Sequence, residues 1–262
     1  MHILVVLAHP DDEIGCAGLL KRLRDAGHII LPVIGTSARK GKMYQGKLES
    51  EVREEEARLS FNHLGTGPLF CGIGTGGLAH EAGRLAIAVK AVIEAYSPEA
   101  VFTLWPVDVH PDHCALHNVT REFCLAKDVN TEYFHFEVCA GTTSPYPQTM
   151  KFIPTHYVDI ASVIKEKKDM LFSHKSQMSQ NNGALWTMNE LLWKKRVLDL
   201  RGPLWQERTQ TAWYHNTSHA EAYVRITREG PLHPELAKFM IPSPHLDLIE
   251  SLYGGEYICK QM

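Results

Sequence analysis

No long apolar run, no cysteine framework and no strong charge of either sign mark this sequence. The first absence bears on membranes: the apolar stretch over residues 3–7 is far shorter than the roughly 20 residues a spanning helix needs. It also lacks a basic lead-in and a small-residue cleavage site, so it reads as a first strand rather than a signal peptide. Six cysteines (Cys16, Cys71, Cys114, Cys124, Cys139 and Cys259) are scattered through 262 residues without a C-x-x-C pair. In a chain of this size that pattern favours reduced thiols and a cytoplasmic location over structural disulfides. A net charge of −3 gives no pull toward nucleic acid or an anionic bilayer, and leaves a small, neutral or weakly charged ligand as the expected partner. Internal repeats, coiled-coil heptads and low-complexity tracts are absent too. What remains, 44% hydrophobic and 22% charged, is ordinary globular composition, long enough for one large α/β domain or two small ones.

The apolar periodicity predicts a buried strand over 3–8 and a helix from Glu13 or Ile14 to Ala26, with Gly27 as its stop. A second strand runs from His28 to Ile34, and Gly35 to Lys42 is a basic, glycine-containing loop. A charged helix from Leu48 to Leu64, a short strand over 68–71, an amphipathic helix over 78–96 and a fourth strand over 100–105 follow. This alternation predicts a Rossmann-like α/β fold: an open, mostly parallel sheet flanked by helices on both faces. Right-handed crossovers then bring the carboxyl ends of the first and fourth strands to one edge of the sheet. Residues 1–140 form the core of a single domain spanning 1–262. Beyond it the expectations are a rim loop over 141–154, helices over 160–174 and 188–200, and a late strand from Ala222 to Thr227.

Two clusters sit just past the first and fourth strands. Ala8-His9-Pro10-Asp11-Asp12-Glu13 packs an imidazole and three carboxylates together, and His110-Pro111-Asp112-His113 adds two imidazoles and a carboxylate. Neither alone makes a good metal site; together they supply a catalytic zinc set of three ligands and an open position. His9 and Asp12 can converge across a turn, and His113 completes a His-Asp-His set around Zn2+. Asp11 diverges from its neighbour Asp12, so it is left beside the metal's water as general base. His110, on the opposite wall and protonated, would stabilise an oxyanion, with Asp112 holding it oriented and charged.

Each cluster also has a plainer reading. Asp11 or Asp12 could cap the first helix, and HPDH could be a turn before a helix over 114–126. His117 forms H-x-x-x-H with His113 but lacks the glutamate of a metalloprotease motif, and reads as an ordinary helix residue. Gly72-Ile73-Gly74-Thr75-Gly76-Gly77 matches G-x-G-x-x-G literally, yet follows the third strand and lacks the later acidic residue of a dinucleotide site. Trp186, Trp193, Trp205 and Trp213 could stack on sugar faces, or pack in a core or interface.

The two clusters together resemble the LmbE/PIG-L family of zinc-dependent N-deacetylases, which carry (A/P)HPDDE near the N-terminus and HxDH in the middle. Arg53-Glu54-Glu55-Glu56 with Leu64-Gly65 is similar to the family's R-x-x-E…LG helix. Lys168 through His174-Lys175-Ser176-Gln177 resembles its K…H-x-S-Q segment, and Glu221-Ala222-Tyr223 its late strand. The resemblance implies the same roles for His9, Asp12 and His113 (zinc), Asp11 (acid/base), His110 (oxyanion) and Asp112 (support). It also implies that Arg53 holds substrate hydroxyls, against an alternative in which Arg53 bridges to Glu49 or Glu56. Glu13 would serve behind the ligands or at the helix start. A homo-oligomer is a further implication. Thr36-Ser37-Ala38-Arg39 departs from the family's Thr-Asp-Gly, so the substrate stays open. The expected activity is removal of an N-acetyl or other N-acyl group from an N-acetylglucosamine-containing molecule; the alternatives are a metal-dependent sugar-binding protein without catalysis and a dinucleotide-dependent enzyme.

Overall fold

Ile3, Leu4, Val5, Val6 and Leu7 offer no polar face, so the strand they form must be covered on both sides. In the computed structural model it is: β1 (His2–Leu7) lies inside an eight-stranded sheet with all five side chains buried. The structure describes residues 1–106, 110–125, 131–136, 154–179, 219–226 and 230–243. The rim loop expected over 141–153, the helix over 188–200 and the four tryptophans Trp186, Trp193, Trp205 and Trp213 lie outside these residues.

β1 is flanked in parallel by β2 (Ile29–Thr36) and by β6 (Ala100–Leu104). β5 (Leu69–Ile73) continues the sheet beyond β2, and β7 (Glu132–Phe136) beyond β6, again in parallel. The parallel strands therefore run β5-β2-β1-β6-β7, and chain order reverses between β1 and β6. Crossovers of one hand put the helices before and after that reversal on opposite faces, and a crevice opens where the loops part. On one side α1 (Ala17–Asp25), α2 (Glu49–Asn62) and α5 (Ile164–Phe172) pack together, and α3 (Ala82–Tyr96) packs with α4 (Pro111–Cys124).

Beyond β7 the sheet turns antiparallel through β9 (Ala220–Arg225), β8 (His156–Asp159) and β10 (Met240–Pro242). β9 is the expected late strand, two residues earlier. A two-stranded hairpin, β3 (Met43–Tyr44) with β4 (Lys47–Leu48), precedes α2.

α3 starts at Ala82 rather than 78 and α5 at Ile164 rather than 160, and two more helix starts differ from expectation at the clusters. Residues Asp12–Gly15 form a single 3-10 turn, and α1 begins only at Ala17, because the HPDDE side chains and backbone are engaged in the turn before it. In contrast α4 begins at Pro111, so Pro-Asp-His is its first turn and His110 its N-cap. Proline suits that first position, where a backbone N–H would lack a partner anyway.

The antiparallel end is tied to α1 by one buried carboxylate. Glu221 Oε1 and Oε2 accept from the N–H groups of Gly18 and Leu19, each at 2.8 Å. Lys167 Nζ donates to the same group at 2.6 Å and the Tyr223 hydroxyl at 2.7 Å. A carboxylate at a helix N-terminus satisfies free amides and the helix dipole together. Gly18 keeps this approach open, since a Cβ there would stand 2.5 Å from Ile160 Cγ2. Glu221→Ala is expected to destabilise the fold by about 3–5 kcal/mol, the usual cost of breaking a buried ion pair. Denaturant unfolding measures it; an unchanged midpoint would show that this carboxylate is not the tie.

Candidate metal centre and active site

The end of β1 is closed by its own sequence. Asp12 Oδ2 accepts from the N–H of Ala8 at 3.1 Å and of His9 at 2.8 Å, folding the buried carboxylate back over the strand end. Past the neighbouring β6, His110 caps α4, and the first turn of α4 carries His113 toward the same point. His9 Nδ1 and His113 Nε2 stand 3.1 Å apart; Asp12 places Oδ2 3.6 Å from the first and Oδ1 3.6 Å from the second. Ligands at about 2.0–2.2 Å around a tetrahedral zinc are separated by roughly 3.3 Å, so these three groups fit a single ion. The structure thus brings His9, Asp12 and His113 together at the two strand ends.

A further bond selects the ligating atom of His9. Its Nε2 lies 3.1 Å from Asp112 Oδ2. A proton on Nε2, donated to that carboxylate, leaves the Nδ1 lone pair for a metal, the arrangement in which a carboxylate orients a metal-bound imidazole. His110 also belongs to the cluster: among the described residues, His9, His110 and His113 bring ring nitrogens within 4.8 Å of one another. However, His110 Nδ1 accepts from the N–H of Asp112 at 3.2 Å, which leaves its proton on Nε2. In that tautomer Nε2 carries an N–H that can donate.

The expected pairing of Asp112 with His110 is a close approach rather than a hydrogen bond between the side chains. Asp112 Oδ2 is 3.9 Å from His110 Nδ1. The carboxylate is instead taken by His9 and by two amides, Gly76 N–H at 2.6 Å and Leu78 N–H at 3.0 Å. Burial lowers the His110 pKa, and the neighbouring His9 and His113 push it further down, so the ring is neutral at pH 7. The same amides explain the glycine motif: Gly76 sits at φ 86, and the loop after β5 closes on Asp112 rather than cradling a phosphate.

Burial raises the Asp12 carboxyl, but His113 and His9 outweigh it and hold the group well below the usual carboxylate range. Asp11 moves the other way. Desolvation raises its pKa, Arg53 opposes this, and the charge of Asp12 adds to the rise. A carboxyl poised upward can both accept and return a proton. Asp11 is also the one residue of its turn in a left-handed conformation, φ 101, which costs a non-glycine residue about 1–3 kcal/mol.

Arg53 does not reach out of the site. It is buried, donating to Pro10 O at 2.6 Å and to Asp11 Oδ1 at 3.2 Å, so it clamps the turn that carries Asp11. The alternative partners have other bonds: Glu49 accepts from Lys42 and Glu56 from Ser176. His174 had no role from sequence beyond its place in the H-x-S-Q segment; its Nε2 lies 2.5 Å from Glu13 Oε1, directly behind the HPDD turn. His117 faces His135 at 3.1 Å, is held near pKa 4 by burial, and stands apart from the metal group as expected.

Residues 4–124, which hold both clusters, match the family model described as PIG-L: GlcNAc-PI de-N-acetylase. A curated relative, "Uncharacterized deacetylase YaiS" of Escherichia coli (strain K12), is 27% identical over 174 residues, covering 63% of this chain and 90% of that protein. Among solved structures, the N,N'-diacetylchitobiose deacetylase of Pyrococcus horikoshii superposes with a TM-score of 0.64 at 18% identity, over 95% of this chain and 88% of that one. The 4-carboxy-2-hydroxymuconate hydratase GalB of Pseudomonas putida KT2440 gives 0.66 at 20% identity, over 88% and 98%. These likenesses establish the mostly parallel PIG-L fold. No helix among the described residues is long and apolar enough to cross a membrane.

Replacing His9, Asp12 or His113 by alanine is expected to abolish stoichiometric zinc binding, whereas His110→Ala keeps the metal. Elemental analysis after dialysis against limiting zinc checks this. Loss of zinc in His110→Ala with retention in His113→Ala would exchange their roles.

Proposed function

We propose that this protein is a zinc-dependent amidohydrolase that removes an N-acetyl group from an N-acetylglucosamine-containing small molecule or glycoconjugate. The observation that carries the reading is the convergence of His9 Nδ1, His113 Nε2 and Asp12 within 3.1–3.6 Å, beside Asp11. Zinc held by those three residues would polarise the amide carbonyl and acidify a water, whose pKa falls from about 16 to about 7.

The chain's own groups do the rest. Asp11 takes the proton from the attacking water and returns it to the departing amine, so amide and water leave as acetate and free amine. His110 donates its Nε2 proton as a hydrogen bond to the carbonyl oxygen as that oxygen gains charge. Because the ring is neutral, it stabilises the oxyanion as a dipole rather than as a cation. Asp112 keeps His9 in its ligating tautomer, and Arg53 keeps Asp11 in place.

The PIG-L match over both clusters and the deacetylase names of its relatives support the acetamide as the reacting group. The free thiols of Cys16, Cys71, Cys114 and Cys124 suit a reducing, cytoplasmic setting. Since a hydratase shares the fold, the fold by itself leaves the chemistry undecided. The deciding experiment is a panel of N-acetylated amino sugars, including N,N'-diacetylchitobiose, assayed for acetate and free amine. Asp11→Asn is expected to lower kcat by about two to four orders of magnitude with zinc retained, and His110→Ala by about two to three. Normal turnover in zinc-loaded Asp11→Asn would remove Asp11 from the role of base.

A further inference from the structure

The left-handed turn at Asp11 is held by a chain of contacts reaching well beyond the metal. The Asp11 N–H donates to Glu13 Oε2 at 3.0 Å. The other oxygen of Glu13 accepts from the Ser60 hydroxyl of α2 at 2.6 Å and faces His174 Nε2 at 2.5 Å. Both side chains of the Glu13–His174 pair are almost wholly buried, at 2% and 1% exposure. His174 lies between α5 and α6 (Lys175–Ser179), in a part of the chain far outside the matched 4–124 segment.

Burying a carboxylate and an imidazole against each other is costly unless the geometry is well satisfied. Here Glu13 is fully engaged on both oxygens, and neither it nor His174 belongs to the cluster of His9, Asp12 and His113. What the pair does is pin the amide of Asp11. Arg53 grips the same turn from the other side, through Pro10 O and Asp11 Oδ1.

We propose that His174 is a positioning residue for the reaction: through Glu13 it holds Asp11 in the left-handed conformation that presents its carboxylate beside His9 and Asp12. This rests on the reading of Asp11 as acid/base. His174 is also part of a segment that is tied to α2 in a second way, by Ser176 N and Oγ on Glu56, each at 2.6 Å. That second tie does not touch Asp11. It therefore separates positioning from simple fastening of α6.

The test uses the full-length, zinc-loaded protein with the fastest substrate of the panel. His174→Ala is expected to lower kcat about 10- to 100-fold, the usual cost of losing a group behind a functional residue, with KM and zinc content unchanged. Added imidazole should restore part of kcat in His174→Ala, because the truncation leaves a ring-sized space beside Glu13. Ser176→Ala should leave kcat within about twofold of wild type. If His174→Ala does not fold, His174→Gln and Ser60→Ala, which weaken Glu13 from the same side, are expected to lower kcat without raising KM. Unchanged kcat in zinc-loaded His174 variants, or an equal loss in Ser176→Ala, overturns the proposal. An active Asp11→Asn would instead overturn the reading beneath it, so the two failures are told apart.

Discussion

The parallel pairing of β1 with β6 is the constraint on which the site depends. Strands consecutive in the sheet are far apart in the chain here, and the register Val6 to Thr103 sets their carboxyl ends level. Thr103 Oγ1 reinforces it with a bond to Val6 O at 2.8 Å. From those two ends the chain leaves in opposite directions, one into the HPDD turn and the other toward the cap of α4. Only with the strands adjacent can His9 and His113 meet at 3.1 Å. A slip in this register would separate the ligands and turn buried side chains toward the wrong face.

The crevice so formed concentrates four carboxylates, and each has its own means of carrying its charge in a poorly solvated place. Asp12 leans on the amides of Ala8 and His9, and Asp112 on those of Gly76 and Leu78. Glu13 has Ser60 and His174, and Asp11 has Arg53. This division keeps Asp12 ionised and leaves Asp11, the least supported of the four, with a raised pKa. The strained backbone at Asp11 is sustained by the same contacts, as expected where strain serves a function.

Much of this was legible in the sequence. The apolar runs over 3–7 and 100–104 could be nothing but buried strands, and clusters just past them belonged at one sheet edge. The convergence of His9, Asp12 and His113 followed from residue type and spacing. What the sequence could not show was which carboxylate served which imidazole. Asp112 looked made for His110, two residues away, but the backbone of α4 claims the His110 ring and Asp112 turns to His9, 103 residues distant. Arg53 read as a substrate residue, because nothing local reveals a bond to the carbonyl of Pro10. The Glu13 to His174 contact spans 161 residues and has no local pattern at all. β7, β8 and β10 went unpredicted: Glu132–Phe136 alternates too weakly, and the others are only three or four residues long.

The central claim is that one ion, held by groups from both strand ends, makes this protein a deacetylase. Its most direct measurement is a titration of metal-free protein with zinc, following bound metal and acetate release together on an N-acetylated amino sugar. Activity should be absent without metal and rise in proportion to occupancy, reaching its full value at one zinc per chain. Acetate release that is undiminished in the metal-free protein, or saturation of this site with zinc and no hydrolysis of any substrate in the panel, would contradict it.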